Sequence, residues 1–180
     1  AGKIVETEAY IGTKDKASHA YGGKCTARNA AEYLIGGYVY IYLVYGMYWQ
    51  FNISTGPAEQ PECVLIRALE PVIHNPSQPP LILRGGDLAR PPLKIRGDRG
   101  VMALANGPGK LCRWLKLNKS FYGEDLVKSR RLWIENRGVK VSRSQIITGP
   151  RVGIDYAGSY WSKIPWRFYL KNNAAVSRPR

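Results

Sequence analysis

A two-residue alternation of apolar and polar side chains marks the strands of this chain. From Gly2 to Ile11, residues Ile4, Glu6, Glu8 and Tyr10 fall on one face and Val5, Thr7, Ala9 and Ile11 on the other, so Glu8 and Tyr10 point the same way. Tyr38 to Ser54 reads as a hairpin. Val39, Ile41 and Leu43 alternate with Tyr38, Tyr40 and Tyr42; after a reversal, Trp49, Phe51 and Ile53 alternate with Tyr48, Gln50, Asn52 and Ser54. Each arm therefore has one apolar and one aromatic-polar face. At the reversal, Tyr45-Gly46-Met47, glycine permits a tight turn and two large side chains are left at an exposed tip, a placement that predicts insertion into a partner. Cys63 to Leu69 predicts a buried strand whose only charge is Arg67, and a buried guanidinium needs acceptors.

Helices are signalled more weakly. Thr26 has the chemistry of an N-cap for a short helix from Ala27 to about Ile35, closed by Gly36-Gly37. Asn106-Gly-Pro-Gly-Lys110 opens a second helix to about Leu117, with Gly107 at the cap, Pro108 at the first helical position, and Leu111, Trp114 and Leu115 on one face. Further strands are predicted at Leu132 to Glu135, Arg151 to Asp155 and Trp166 to Leu170. Residues 71–100 hold six of the twelve prolines and five Lys or Arg without either period, and residues 71–105 read as a long basic Pro/Gly-rich surface loop. Residues 1–180 thus predict one α+β domain: a curved antiparallel β-sheet with short helices and a protruding hairpin.

Composition adds a direction. The 180 residues are 44% hydrophobic, enough for a core, and no run is apolar for the length of a membrane span. The net charge of +14 is uneven: residues 1–70 carry six Lys or Arg against seven Asp or Glu, so the rest of the chain carries the excess. Such a surface most simply neutralises phosphates, with an anionic membrane or an acidic protein as weaker fits. Cys25, Cys63 and Cys112 are odd in number and share no metal-ligand spacing with His19 or His74, so the reading expects a reducing compartment and no metal. Ala1 already stands within a strand pattern, without a signal peptide or initiator methionine, and the reading expects a preceding strand to be missing.

Several chemistries are absent. N-G-P-G-K-L is not a phosphate-binding P-loop, because Leu104 occupies the upstream glycine position and Leu111 follows the lysine. There is no H-E-x-x-H, G-x-S-x-G or C-x-x-C. What remains is a set of polar groups on apolar strands: Glu8, Tyr10, Tyr40, Tyr42, Asn52 and Arg67. If the strands are neighbours, these groups line one pocket with flat rings to sandwich a planar base, an amide to test its edge and a carboxylate to activate water. Tyr45 and Met47 would fill the gap left in a base stack.

The blocks V-E-T-E-A-Y (Val5 to Tyr10), D-x-A-x-H (Asp15 to His19), T-x-R-N (Thr26 to Asn29), Y-x-Y-x-x-Y-G-M-Y (Tyr40 to Tyr48), N-I-S (Asn52 to Ser54), C-V-L-I-R-A-L-E-P (Cys63 to Pro71), N-G-P-G-K-L-C (Asn106 to Cys112) and G-P-R-V-G-I-D (Gly149 to Asp155) with P-W-R-F-Y (Pro165 to Tyr169) are collinear over most of the chain. They resemble the alkyladenine (3-methyladenine, or methylpurine) DNA glycosylases. The resemblance implies a monofunctional enzyme that flips alkylated or deaminated purines out of duplex DNA and hydrolyses the N-glycosidic bond, leaving an abasic site. It implies Glu8 as general base and Arg67 as the arginine that helps hold water and carboxylate. Tyr10 and His19 would enclose the base from one side and Tyr42 from the other, Asn52 would disfavour guanine, and Tyr45 would intercalate with Met47 beside it. Lys24, Thr26, Arg28, Gly109 and Lys110 would meet the DNA backbone, with Arg84 and Arg96 as further contacts. No metal or organic cofactor is implied. The expected setting is a monomer on damaged double-stranded DNA, in the bacterial cytoplasm at the nucleoid or in a eukaryotic nucleus.

Each role has a plainer rival. Glu6 shares a face with Glu8, and only the match to the second glutamate of E-T-E selects Glu8. Tyr40, Trp49 and Phe51 fit sheet packing, and Arg67 would also serve as a buried partner of Glu70 or Glu8. No lysine lies in an apolar strand, which disfavours Schiff-base chemistry. Residues 72–105 depart from the family pattern. A non-enzymatic protein that senses or bends damaged DNA is the competing function.

Overall fold

The computed structural model describes residues 1–72 and 103–177. Six antiparallel strands form one sheet: Gly2–Ile11 (β1), Val39–Val44 (β2), Tyr48–Ser54 (β3), Glu62–Pro71 (β4), Ile146–Gly149 (β5) and Arg167–Leu170 (β6). Their order is β2-β3-β4-β1-β6-β5, so β1 lies between β4 and β6. The helices are short, Pro108–Trp114 (α1) and Ser159–Lys163 (α2), joined by several 3-10 turns. The architecture is α+β, as the pattern predicts. No helix among the described residues is long and apolar enough to cross a membrane.

The sheet has two chemically different faces because alternation places successive side chains on opposite sides. Val39, Ile41, Phe51, Ile53, Ile66 and Leu69 point into the main core, where Leu111 and Cys112 of α1 cover them. The other face carries the polar set in a row fixed by strand register: Tyr40 opposes Asn52, Asn52 opposes Leu65, and Leu65 opposes Glu8. With neighbouring strands roughly 4.8 Å apart, Asn52 and Glu8 are about 10 Å apart across Leu65. The hairpin and the first strand therefore contribute to one surface although residues 12–38 separate them in sequence.

Local sequence chemistry explains where the elements stop. Helix α1 ends at Trp114, before the expected Leu117, because Lys116 takes a left-handed φ of 56° and the Leu117 amide reaches back to the Cys112 carbonyl at 2.8 Å. That closure is a Schellman cap, and it tucks Leu117 into the core. The helix predicted over 27–35 shrinks to a 3-10 turn, Ala30–Tyr33. Asn29 replaces Thr26 as the organising residue: its Oδ1 accepts from both the Thr26 amide (2.7 Å) and the Thr26 hydroxyl (2.8 Å). The strand predicted over 132–135 is absent; Leu132 packs on the core from a loop pinned by the Arg131–Glu124 ion pair. Arg151 to Asp155 is likewise no strand, because Arg151 turns inward to a buried ion pair, and β5 pairs with β6 instead. The proposed loop over 71–105 falls mostly outside the described residues, with Arg84 and Arg96; within them, Pro71 completes β4 and Ala103–Ala105 forms a 3-10 turn.

Candidate active site

Strand β1 is irregular around Glu6, with register shifts on both sides of it against β4. Beyond the irregularity, Glu6 and Glu8 both meet Arg67 of β4: Nε donates to Glu6 Oε1 at 2.9 Å, and Nη1 lies 3.3 Å from Glu8 Oε1. All three side chains are buried. Arg67 therefore satisfies its donors on two carboxylates of β1, and Glu70 is not its partner; Glu70 meets Lys3 and Asn173.

The two glutamates differ in how fully they are used. Glu6 accepts from Arg67 Nε, Arg167 Nε (2.7 Å), the Ser177 amide (2.6 Å) and the Ser177 hydroxyl (2.8 Å). Burial alone would raise its pKa, but the Ser177 amide, Arg67, the Ser177 hydroxyl and Arg167 outweigh it and hold the carboxyl below its ordinary range. Glu8 Oε1 accepts from the Val152 amide (2.7 Å) and faces Arg67, whereas Oε2, among the described residues, accepts only from the Tyr10 hydroxyl (3.0 Å). Burial dominates here and raises the Glu8 pKa despite Arg67, Val152 and Tyr10; nearby Glu6 adds to the rise. Burial and the Glu8 charge raise the Tyr10 pKa as well, which keeps its hydroxyl a donor.

Beside this pair opens a cavity of about 600 Å³, within the range of small-molecule sites. Tyr10, Arg67 and Val152, the three groups that contact Glu8, all line it, so the carboxylate lies one side chain behind the wall. Tyr40, Tyr42 and Asn52 form another wall, with Arg28 and Tyr45 also among the lining residues. Asn52 is buried and donates its amide to the Tyr40 and Gln50 carbonyls, each at 3.2 Å. His19 joins the same wall: Nδ1 lies 2.5 Å from the Tyr40 hydroxyl, and the ring stands edge-on to Tyr42 with centroids 4.6 Å apart. Two rings enclosing a base stand about 7 Å apart, twice the ~3.4 Å rise of stacked bases. His19 and Tyr42 are thus closed on one another. Burial, then Arg28, lowers the His19 pKa.

The hairpin tip divides. Tyr45 and Gly46 both have positive φ, 52° and 67°, and the Met47 amide donates to the Val44 carbonyl, a turn whose twist matches paired strands. Glycine suits that backbone; a tyrosine there is uncommon and costs about 1 kcal/mol or more. Tyr45 is 86% exposed and also reaches the main cavity, whereas Met47 lines a smaller cleft of about 260 Å³ with Trp49 and Arg113.

The residues expected on the DNA backbone are scattered. Arg28 donates to the Leu43 carbonyl at 3.2 Å with its guanidinium 5.4 Å from the Tyr42 centroid, at the cavity rim. Lys24 and Thr26 are exposed in the loop before the 3-10 turn, and no helix N-terminus stands at Thr26. Lys110 donates to Asn106 at 2.9 Å. Gly109 has a packing reason: an added Cβ would come within 2.9 Å of the Tyr48 ring.

Sequence reasoning missed three participants. Asp15, fully buried, binds Arg151 through both oxygens, at 2.5 and 2.9 Å, and Arg151 also donates to the Ala9 carbonyl at 3.0 Å. This pair ties the loop before His19 to the segment that presents Val152. Val152 contributes only its amide, which no side-chain pattern reveals. Glu32, buried on the cavity lining, was hidden inside an ordinary-looking helix start.

A family model described as methylpurine-DNA glycosylase matches residues 1–174. The chain belongs to that family, which makes it a DNA glycosylase. It is 39% identical over 176 residues to a protein of Borreliella burgdorferi provisionally named 3-methyladenine DNA glycosylase, covering 98% of this chain and 82% of the relative. A Desulfitobacterium hafniense protein under the same provisional name is 42% identical over 177 residues, covering 98% and 82%. The DNA-3-methyladenine glycosylase of Homo sapiens is 39% identical over 178 residues, covering 98% of this chain and 56% of its own length.

Proposed function

We propose that the chain extrudes alkylated or deaminated purines from duplex DNA into the tyrosine-lined cavity and hydrolyses their N-glycosidic bond, with Glu8 activating the water. The observation that carries the reading is the state of Glu8: a buried carboxylate behind a base-sized cavity, with one oxygen held by Val152 and Arg67 and the other held only by Tyr10. Oε2 is then the oxygen that takes the proton of the attacking water once Tyr10 yields it. The water oxygen bonds to the anomeric carbon, and the electrons of the broken C–N bond leave on the purine. A carboxyl raised by burial is a stronger base than an exposed one, which suits this role. Arg67 keeps Glu8 and the water oriented, and Glu6 is excluded because four donors already occupy it.

On entry of a base, His19 swings from Tyr42 and leaves the gap a flat ring needs. Tyr45, exposed at the tip and also at the cavity, fills the vacated stack. Among the described residues no lysine lines the cavity, which supports a water-only mechanism without a Schiff base. A damaged-DNA binder has no use for a raised carboxylate beside a buried arginine. The test is base release from duplexes carrying hypoxanthine, ethenoadenine or 7-methylguanine, by the natural chain and by Glu8→Gln. Release by the natural chain and a loss of about 10²–10⁴-fold in the variant is expected; equal release by both would remove Glu8 from the mechanism, and no release by either would favour the binder.

A further inference from the structure

Among the described residues the buried acidic side chains are Glu6, Glu8, Asp15 and Glu32. The first three are ion-paired to arginines. Glu32, 2% exposed, belongs to none of the ion pairs among the described residues, although it lines the cavity with Tyr40, Tyr42 and Asn52. Among the described residues its oxygens accept only from neutral groups: the Cys63 thiol to Oε1 at 3.4 Å and the Asn29 amide to Oε2 at 3.3 Å. The titratable groups facing it are the Cys63 thiol of β4, the Tyr40 and Tyr42 hydroxyls of β2, Tyr122 and the Tyr33 of its own turn, none of them a cation. Arg28, at the rim over Tyr42, is the charged group of its own segment that lines the cavity. A buried carboxyl without a cation either stays protonated or waits for one.

We infer that Glu32 is a specificity-determining residue that selects purines carrying a positive charge on the ring, as alkylation at N3 or N7 produces, over uncharged purines. The inference rests on reading the cavity as a base pocket. Alkylation at N3 or N7 uses a lone pair and places a positive charge on the ring, which an alkylated adenine, having no ring N–H, keeps until its glycosidic bond breaks and a 7-alkylguanine keeps as long as its N1–H stays protonated. Hypoxanthine and ethenoadenine carry no such charge. The tyrosine rings around the carboxyl also favour a cation over their faces. Burial lifts the Glu32 pKa to about 7, with the Cys63 and Asn29 hydrogen bonds opposing the rise, so neutral pH lies where a cation can draw out its proton. An uncharged base meets the protonated carboxyl and gains no ion pair.

The timing of the charge predicts which kinetic constant responds. As the C–N bond breaks, its electron pair moves onto the purine and cancels the positive charge. The attraction to Glu32 is therefore strongest in the bound substrate and fades toward the transition state. It raises capture rather than the chemical rate, and it does not hold the released neutral base.

The experiment is single-turnover excision of 7-methylguanine and hypoxanthine from otherwise identical duplexes, by the natural chain, Glu32→Gln and Glu32→Met. For 7-methylguanine, both variants are expected to raise the half-saturating enzyme concentration about 10-fold, the value of one lost charge-assisted contact, with the limiting rate rising rather than falling, because that contact is weaker in the transition state than in the bound substrate. The preference for 7-methylguanine over hypoxanthine falls by the same factor. On the acid side of neutrality, where 7-methylguanine keeps its N1–H, its capture by the natural chain tightens with rising pH as Glu32 ionises, and in both variants that slope disappears. Equal weakening on both lesions would make Glu32 structural and overturn the inference, as would unchanged capture of 7-methylguanine. Release of neither base by the natural chain would overturn the base-pocket reading and this inference with it.

Discussion

Glu6 and Glu8 are two residues apart on one strand, share one arginine and are both excluded from solvent, yet they end in opposite states. Glu6 faces a closed polar knot made by Arg67, Arg167 and Ser177, and their four donors match the roughly four lone pairs of its carboxylate. Glu8 faces the cavity side, where one oxygen is nearly free. Burial pushes both carboxyls in the same direction; the count of donors decides the outcome, lowering one pKa and leaving the other raised. An ion pair to arginine is common to both, so it is not what distinguishes the proposed base. The unused acceptor capacity is what separates them.

The comparison can be broken at several points. The largest expected effect is on activity: Glu8→Gln loses about 10²–10⁴-fold in base release while Glu6→Gln, assayed where it remains folded, retains most of it. Stability should invert that ranking. Glu6→Gln leaves the buried Arg167 without its carboxylate and Arg67 with Glu8 alone, and costs about 3–5 kcal/mol in denaturant unfolding, whereas Glu8→Gln costs far less, because Arg67 keeps Glu6 and Arg167 is untouched. If Glu8→Gln proved the more destabilising, the division into structural and reactive carboxylates would fail.

The pH dependences sharpen the contrast. Glu6, depressed in the folded state, contributes stability above its unfolded value near 4.5, and that contribution disappears as pH falls through its lower folded value. Glu8, raised in the folded state, does the reverse: its ionisation costs stability as pH rises from near 4.5 through its folded value. Because the ionised form is the base, excision should fall on the acid side with a midpoint above 4.5, and a midpoint at or below that value would contradict the assigned role. The smallest expected effect lies at the tip. Tyr45→Ser should change stability by no more than about 0.5 kcal/mol, since the side chain is 86% exposed, while lowering excision of paired lesions more than of unpaired ones.

The sequence pattern made the two arms of the hairpin and the buried strand around Arg67 legible, because alternation and a lone charge are local signals. It also placed Glu8 and Tyr10 on a common side, and a 3.0 Å hydrogen bond joins them. It did not distinguish Glu6 from Glu8 by chemistry, because the donors that silence Glu6 come from residues 67, 167 and 177. The Asp15–Arg151 pair was invisible for the same reason, with 136 positions between its members. Arg151 sat in what read as a strand, and its buried ion pair took precedence over strand propensity. Glu32 illustrates the third kind of miss: a polar residue in a helix start is ordinarily solvated, and only the packing of Cys63 and Tyr40 over it makes it unusual.

The knot at Glu6 also sets an order of assembly. Strand β6 covers the outer side of β1, and Ser177 supplies two of the four donors to Glu6. Until those residues have left the ribosome, β1 is an open sheet edge and its carboxylates have only Arg67 within β4. The 96 positions between Pro71 and Arg167 take on the order of 5–20 s to synthesise. For that interval the strand bearing the proposed base presents one unpaired, aggregation-prone edge. A nascent-chain protease pulse should therefore find β1 cleavable until synthesis has passed Ser177 and resistant soon after.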